Sequence, residues 1–304
     1  MKPYHAQLSV EASLVRSLLT SQFPQITIRS IEKLGAGWDN AAYLINNELI
    51  FRFPQREIAV SLLLFENQLL PQLQTRLSLQ LPNPIYIGHV DTAYPWVFSG
   101  YKKTDGISGC QLDLSISEYR DCARILGKFL RQLHDIDIGE LELGNIKANQ
   151  SPRIDKKFMC KHLSQRWLEV NKSPSLQAFA ASLNKILAAI EPVDLTIKQP
   201  CLIHGDLYHR HLFFNNRKLI GVIDWGDMAF SHYIIDLGVV YQFLPPQVHD
   251  NFFNEYGKVS EALRHYARFL GLYSAITLLW YGSDIGDWRL IETSLQTLRW
   301  LSLT

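Results

Sequence analysis

"LIHGDLYHRHLFF", residues 202–214, sets His204, Asp206, His209 and His211 close together between two apolar runs. Polar side chains at that density do little for a core. Three chemistries fit them. As metal ligands, the four carry suitable donor atoms, and residues two apart share one side of an extended strand. Against that, the sequence has no second cluster of comparable density except "IDWGD" at 223–227. As a decorated turn, they leave unexplained "GVIDWGD" at 221–227, where a β-branched run ends on Asp224 and continues through Trp225 and Gly226 to Asp227. As a phosphoryl-transfer loop, both stretches find a use. One carboxylate orients and deprotonates an acceptor hydroxyl, a residue five positions on turns back toward a metal, and a second carboxylate holds Mg²⁺ between phosphate oxygens. Asp206, His211 and Asp224 stand in that order at that spacing. Each half alone is a weak signal; together, between strands, they are a strong one.

The flanking sequence suits a large soluble fold. The 304 residues are 47% hydrophobic and 19% charged, with a net charge of +1, so neither nucleic acid nor an anionic membrane is suggested as a partner. "MKPYHAQLSVEASLVRSLLT" lacks the basic start and long apolar stretch of a signal peptide. "FLGLYSAITLLWYG" (269–282) is too short to span a bilayer and reads as a buried helix. Cysteines at 110, 122, 160 and 201 have no paired spacing and are expected to be reduced core thiols, which implies a cytoplasmic setting.

The texture of the chain changes along its length. "ITIRSIEKL" (26–34), "AAYLIN" (41–46) and "ELIFRF" (48–53) alternate like antiparallel strands, with turn signals between them. "REIAVSLLLFENQLLPQLQ" (56–74) has helical periodicity, and "IYIGHV" (85–90) and "PWVFSGYKK" (95–103) suggest two more strands. Beyond about residue 115 the pattern is mostly helical, notably at 118–136, 175–190 and in two C-terminal helices. The exception is the pair of short strands around an Asn215-Asn216 turn. The expectation is an α+β fold, with a small β-rich lobe over 1–100 and a larger helical lobe over 101–304.

With these motifs in place the chain resembles the aminoglycoside phosphotransferase family, small-molecule kinases of bilobal, protein-kinase-like fold. "LGAGWDNAAYLIN" (34–46) resembles the family's nucleotide loop, "ELIFRFPQRE" the strand after it, "LIHGDLYHRHLFF" its catalytic loop and "GVIDWGD" its metal motif. "DLG" at 236–238 and "LLWYGSDIGD" at 278–287, which contains Asp284, also resemble it. His211, where most members have Asn, is similar to the branch holding the aminoglycoside 2''- and macrolide phosphotransferases.

The resemblance implies ATP or GTP as donor and Mg²⁺ as cofactor. Gly35 and Gly37 would let backbone N–H groups approach phosphates. Arg52 stands where kinases keep a lysine, with Glu66 fourteen residues on to pair with it. Asp206 is expected to be the base and Asp224 the metal ligand, with His211 behind it because Mg²⁺ prefers oxygen. His204 is expected to brace the loop through a backbone hydrogen bond, and Asp236 to brace it from outside. His209 and Arg210 read as solvated, Arg210 with an option on the transferring phosphate. Asp227 and Asp284 are candidates for acceptor contact or support. The backbone around Phe98, Ser99 and Tyr101 is the expected adenine hinge.

The resemblance implies a small hydroxylated acceptor, antibiotic-like or a related metabolite. Residues 153–172 carry Arg153, Lys156, Lys157, Lys161, Arg166 and Lys172 against Asp155 and Glu169. A basic wall suits a polycationic aminoglycoside poorly; the plainer alternative is a solvated basic face. Arg52 and His211, standing where other residues are usual, keep open a second class, a nucleotide-binding regulator without turnover. Oligomeric state is not legible.

Overall fold

The computed structural model describes residues 6–36, 39–144, 151–172 and 174–303. Two compact units emerge. The first gathers the described residues of Met1–Thr75, Leu81–Asp105 and Leu141–Ala148; the second gathers those of Arg76–Gln80, Gly106–Glu140 and Asn149–Thr304.

The first unit opens with helix α1 (Ala12–Gln22), then strands β1 (Ile31–Ala36), β2 (Asn40–Ile45) and β3 (Leu49–Pro54), helix α2 (Glu57–Leu73), and strands β4 (Pro84–Gly88) and β5 (Phe98–Lys102). The strands form one antiparallel sheet in the order β1-β2-β3-β5-β4. Period-two alternation explains β3: Phe51 and Phe53 point into the core, fully buried, and Arg52 points to the other face. The core is an aromatic cluster in which the Phe53 and Phe98 rings stack with centroids 4.7 Å apart. Glycines make room for it across the ladder. Gly100 lies opposite Phe51 and Gly88 opposite Phe98, and a Cβ at either would come within 2.4 or 2.2 Å of the ring. Asn46 and Asn47, at φ 55° and 60°, turn β2 into β3. The predicted strand over 26–34 begins only at Ile31.

The second unit runs β6 (Ile107–Ser108), α3 (Ile116–His134), α4 (Lys156–Val170), α5 (Pro174–Gln177), α6 (Ala180–Ile190), β7 (Cys201–Ile203), β8 (Leu212–Asn215), β9 (Lys218–Val222), β10 (Ala229–Ser231), α7 (Gly238–Phe243), α8 (His249–Tyr256), α9 (Glu261–Ile285) and α10 (Trp288–Leu303). The apolar run 269–282 lies within α9, which crosses α7 closely enough that a Cβ on Gly271 would sit 2.9 Å from that of Tyr241. No helix among the described residues is long and apolar enough to cross a membrane.

The helix expected over 175–190 is divided between α5 and α6. The β8–β9 turn falls one residue later than expected. Asn215 stays in the ladder opposite Lys218, and Asn216 and Arg217 take φ 47° and 61°. Arg217 then reaches Glu118, whose carboxyl its hydrogen bond holds down to about 2.

Candidate active site

Two short strands set the central loop. β7 pairs antiparallel with β10, with Ile203 opposite Ala229, so the turn after β7 lies against the chain that has just left Asp227. The approach is close: Gly205 has φ +87°, and a Cβ there would lie 2.1 Å from the Asp227 carbonyl oxygen. Glycine is required at this position on both counts.

The turn is held by Asp236, which is 1% exposed. Its two carboxylate oxygens accept the backbone N–H groups of His204, at 2.7 Å, and Gly205, at 2.8 Å. His134 Nε2 lies 3.1 Å from the same carboxylate, and His134 Nδ1 lies 2.9 Å from the Tyr256 hydroxyl. Burial pushes the Asp236 carboxyl up, but the hydrogen bonds from His134 and the loop amides outweigh it and hold the group below its ordinary value. His204 braces the loop from inside. Its Nδ1 accepts the Asp206 N–H at 3.3 Å, so Nε2 carries the proton and donates to the Ile223 carbonyl at 3.0 Å. Burial pushes its pKa down and keeps it neutral.

These contacts leave three side chains together. Asp206 and Asp224 are partly exposed, and His211, almost wholly buried, stands between them. His211 Nδ1 hydrogen-bonds the Asp206 carbonyl at 2.8 Å, which directs Nε2 to an Asp224 carboxylate oxygen 3.3 Å away. Burial disfavours the imidazolium, but the hydrogen bond to Asp224 and the charges of Asp224 and Asp206 raise its pKa overall. Asp224 itself has φ +62°, a left-handed conformation that Asp tolerates better than most residues. The next residue, Trp225, is fully buried, with its indole N–H on the Val222 carbonyl at 3.1 Å. That pair re-aims the chain so that Asp224 faces His211.

The four-ligand metal reading of the opening stretch does not survive. His204 and His209 direct their ring nitrogens into the protein, and no group of three or more His, Cys, Asp or Glu among the described residues could hold a metal ion. His209 is not solvated. It is buried between Gln242 and Thr293, and burial pushes its pKa down to about 3. Arg210 pairs with Asp287, which also caps the start of α10 through the N–H groups of Arg289, at 3.1 Å, and Leu290, at 3.2 Å. Asp284 is exposed on the last turn of α9. Among the described residues Asp227 opens no helix, and its carboxylate lies 3.7 Å from Arg153.

In the first unit, Arg52 Nη1 bonds both carboxylate oxygens of Glu66, at 3.0 and 2.8 Å, and the Tyr101 hydroxyl reaches Glu66 at 3.4 Å. Glu66 is buried and Arg52 largely so. Gly35 sits in β1 opposite Ala42, just past a bulge; Gly37 lies outside the described residues. The hinge expectation needs correcting. Phe98 is core, the Ser99 hydroxyl donates to Asn67 at 2.8 Å, and the backbone from Phe98 to Tyr101 is paired with β3 on one side and β4 on the other. Peptide groups in the middle of a sheet have no free edge to offer a base.

Sequence reading missed Arg153, which donates through Nη2 to the Asp206 carboxylate. It also missed His134 and Asp287. Arg153 and His134 signalled themselves only by charge within otherwise ordinary basic or helical segments, whereas Asp287 ends the stretch "LLWYGSDIGD", in which only Asp284 was singled out. The basic run 153–172 is not simply solvated. Lys156 caps the chain end after α6, bonding the carbonyls of Ile190, Glu191 and Val193, and Arg166 donates to Thr277 at 2.7 Å.

Solved structures share this architecture. The GDP and kanamycin complex of APH(2")-IIia matches over 95% of this chain and 98% of its own, with 23% identity and a TM-score of 0.71. The streptomycin–ATP–APH(2")-IIa ternary complex matches over 96% and 97%, with 21% identity and a TM-score of 0.61. Macrolide 2'-phosphotransferase MphH from Brachybacterium faecium matches over 93% and 97%, with 19% identity and a TM-score of 0.60. At these identities the likeness establishes the fold, the kinase-like α+β arrangement expected from the motifs. A family model adds what the likeness alone does not: over residues 30–272, the chain belongs to the phosphotransferase enzyme family, APH.

Proposed function

We propose that this protein transfers the γ-phosphate of ATP or GTP to a hydroxyl of a small molecule, either an aminoglycoside- or macrolide-like antibiotic or a related hydroxylated metabolite. One observation carries the reading: the chain from Asp206 through His211 to Asp224, on a loop whose amides are fixed by Asp236. It supplies a part-exposed carboxylate for the acceptor's proton and a second one for a metal, a short distance apart.

Mg²⁺ fits these residues. Asp224 offers a part-exposed carboxylate in a backbone conformation that commits it to this side, and His211 steadies that carboxylate from behind. Mg²⁺ keeps several waters and takes one or two protein oxygens, so Asp224 would hold it and His211 would act through Asp224 or a water. When bound it would neutralise phosphate charge. Asp206 would orient the acceptor hydroxyl and take its proton. Arg52, fixed by Glu66, would pair with donor phosphates, and the Gly35 backbone would approach them. His204 supports the Asp206 turn. The first lobe would serve the donor and the second the acceptor and metal.

The test is incubation with Mg²⁺, ATP or GTP and a panel of aminoglycosides, macrolides and hydroxylated metabolites, with phosphorylated product read by mass spectrometry. Product from any acceptor, lost in Asp206→Asn, supports the reading. The contact of Arg153 on Asp206 favours one second reading, a nucleotide-binding regulator whose base is occupied. It predicts Mg²⁺–nucleotide binding with no product from any acceptor.

A further inference from the structure

We propose that Arg153 determines acceptor specificity, selecting a hydroxylated molecule that carries an acidic group, carboxylate or phosphate, over a polycationic amine. The inference rests on the phosphotransferase reading of the site and names the acceptor's charge.

Arg153 is held in place by its backbone. Its N–H donates to the Ser151 hydroxyl at 3.4 Å and its carbonyl accepts the Tyr266 hydroxyl of α9 at 2.6 Å. The side chain therefore extends from a fixed point toward Asp206 and Asp227, with its Nη2 bonded to the first and 3.7 Å from the second. Among the described residues, the guanidinium donates through Nη2 alone, so Nε and Nη1 keep their N–H groups for a ligand. The side chain is 28% exposed, enough to be reached.

Beyond the carboxylates of Asp206 and Asp227, the neighbouring side chains are aromatic and basic. Tyr273 neighbours Arg153, and a second guanidinium, Arg166, stands 5.1 Å over the Tyr273 ring and 5.7 Å over Trp280. Glu169 is occupied as the acceptor of the Trp280 indole N–H. A planar guanidinium with its Nε and Nη1 donors still available suits the oxygens of a carboxylate or phosphate, which repel no cation and accept directed N–H groups, as an ammonium cannot. An amine-rich acceptor would face Arg153 and compete with it for Asp206, an unfavourable pairing of the kind that sets specificity. An acidic acceptor would draw the guanidinium to itself and leave the Asp206 carboxylate available to the hydroxyl beside it.

The experiment uses the full chain with Mg²⁺ and saturating ATP or GTP. Acceptors are a neutral glycoside, the matching uronic acid, the matching sugar phosphate, and kanamycin as polycation. kcat/KM is measured for each by nucleoside diphosphate release, with product mass confirmed. The acidic members should exceed both the neutral glycoside and kanamycin by roughly 10-fold or more, the two acidic arms showing which group is preferred. Arg153→Met should collapse the acidic-to-neutral ratio toward one, Arg153→Lys should keep part of it, and Arg153→Glu should shift preference toward kanamycin. Because a ratio is unaffected by the fraction of folded enzyme, these results separate recognition from mere neutralisation of two carboxylates. Phosphorylation of kanamycin or of the neutral glycoside as efficient as that of the acids, or a ratio unmoved in Arg153→Met, overturns the inference and leaves the transferase reading intact. Nucleotide binding with no product from any acceptor, a wider antibiotic panel included, removes both.

Discussion

Asp236 accepts two consecutive peptide N–H groups, those of His204 and Gly205, at 2.7 and 2.8 Å, from a position thirty-two residues further along the chain than His204. A buried carboxylate with two backbone donors and His134 behind it is a fixed support for the turn that carries Asp206. Asp236→Ala strands those donors and is expected to cost about 3 kcal/mol or more, measured by urea unfolding. The effect should depend on pH in a set direction. The folded-state pKa of Asp236 is lowered, so its stabilisation is complete above the ordinary carboxylate value of about 4 and is lost as pH falls below it. The stability gap between wild type and Asp236→Asn should accordingly be widest near neutral pH and shrink under acid. A gap that stayed constant down to pH 3 would mean that the carboxylate charge is not what supports the turn.

Asp206→Asn and Asp224→Asn should separate base from metal ligand. The first is nearly isosteric, keeps the fold and should retain Mg²⁺–nucleotide binding while turnover falls by roughly 10²–10⁴-fold. The second should weaken Mg²⁺-dependent nucleotide binding as well as turnover, and Asn tolerates the left-handed conformation at 224, so backbone shape is not the cause. Calorimetric titration of nucleotide with and without Mg²⁺ checks both. Equal losses of binding in the two variants would contradict the division of roles.

Glu66→Ala should be more damaging to stability than an exposed charge deletion. It leaves Arg52 without its buried partner, at a cost of about 3–5 kcal/mol. Thermal unfolding should show this in the absence of any ligand. Glu66→Gln, which keeps an acceptor for Arg52 and Tyr101, should fall between, and a Glu66→Ala variant as stable as wild type would show that the pair contributes nothing to the fold.

Gly205→Ala should abolish activity whatever the acceptor. The new Cβ would lie 2.1 Å from the Asp227 carbonyl in a conformation strained for L-residues, so the turn must move and Asp206 with it. The variant should keep its helical circular dichroism. Full activity in a folded variant would mean that the loop does not need this geometry.

The grouping of Asp206, His211 and Asp224 was legible because the motif depends on spacing along the chain: the three follow one another with a strand between. The antiparallel sheet was legible for a similar reason, as alternation at Phe51 and Phe53 is a local signal. What escaped was long-range. Arg153 reads as one cation in a basic run, and nothing nearby says that it meets Asp206 fifty-three residues later. His134 reads as the end of an amphipathic helix, although its partner is Asp236. His209 looked solvated because its neighbours in sequence are polar; the residues that bury it, Gln242 and Thr293, come much later. That the backbone at Phe98–Tyr101 has no free edge was not legible, because a strand's own sequence does not say whether both of its edges are paired.

The supports of the catalytic turn have a consequence for how the protein is made. Asp236 and Thr293 follow the motif they hold in place, the second by more than eighty residues, and Tyr256 and Tyr266 follow the His134 and Arg153 that they steady. A nascent chain that has exposed both "HGDLYHRH" and "IDWGD" therefore has Asp206, His211 and Asp224 without the later contacts of Asp236 and Thr293 that fix their loop. Competence should await synthesis past Thr293, and a premature stop codon within α9 should yield a polypeptide with both signature motifs and no working site.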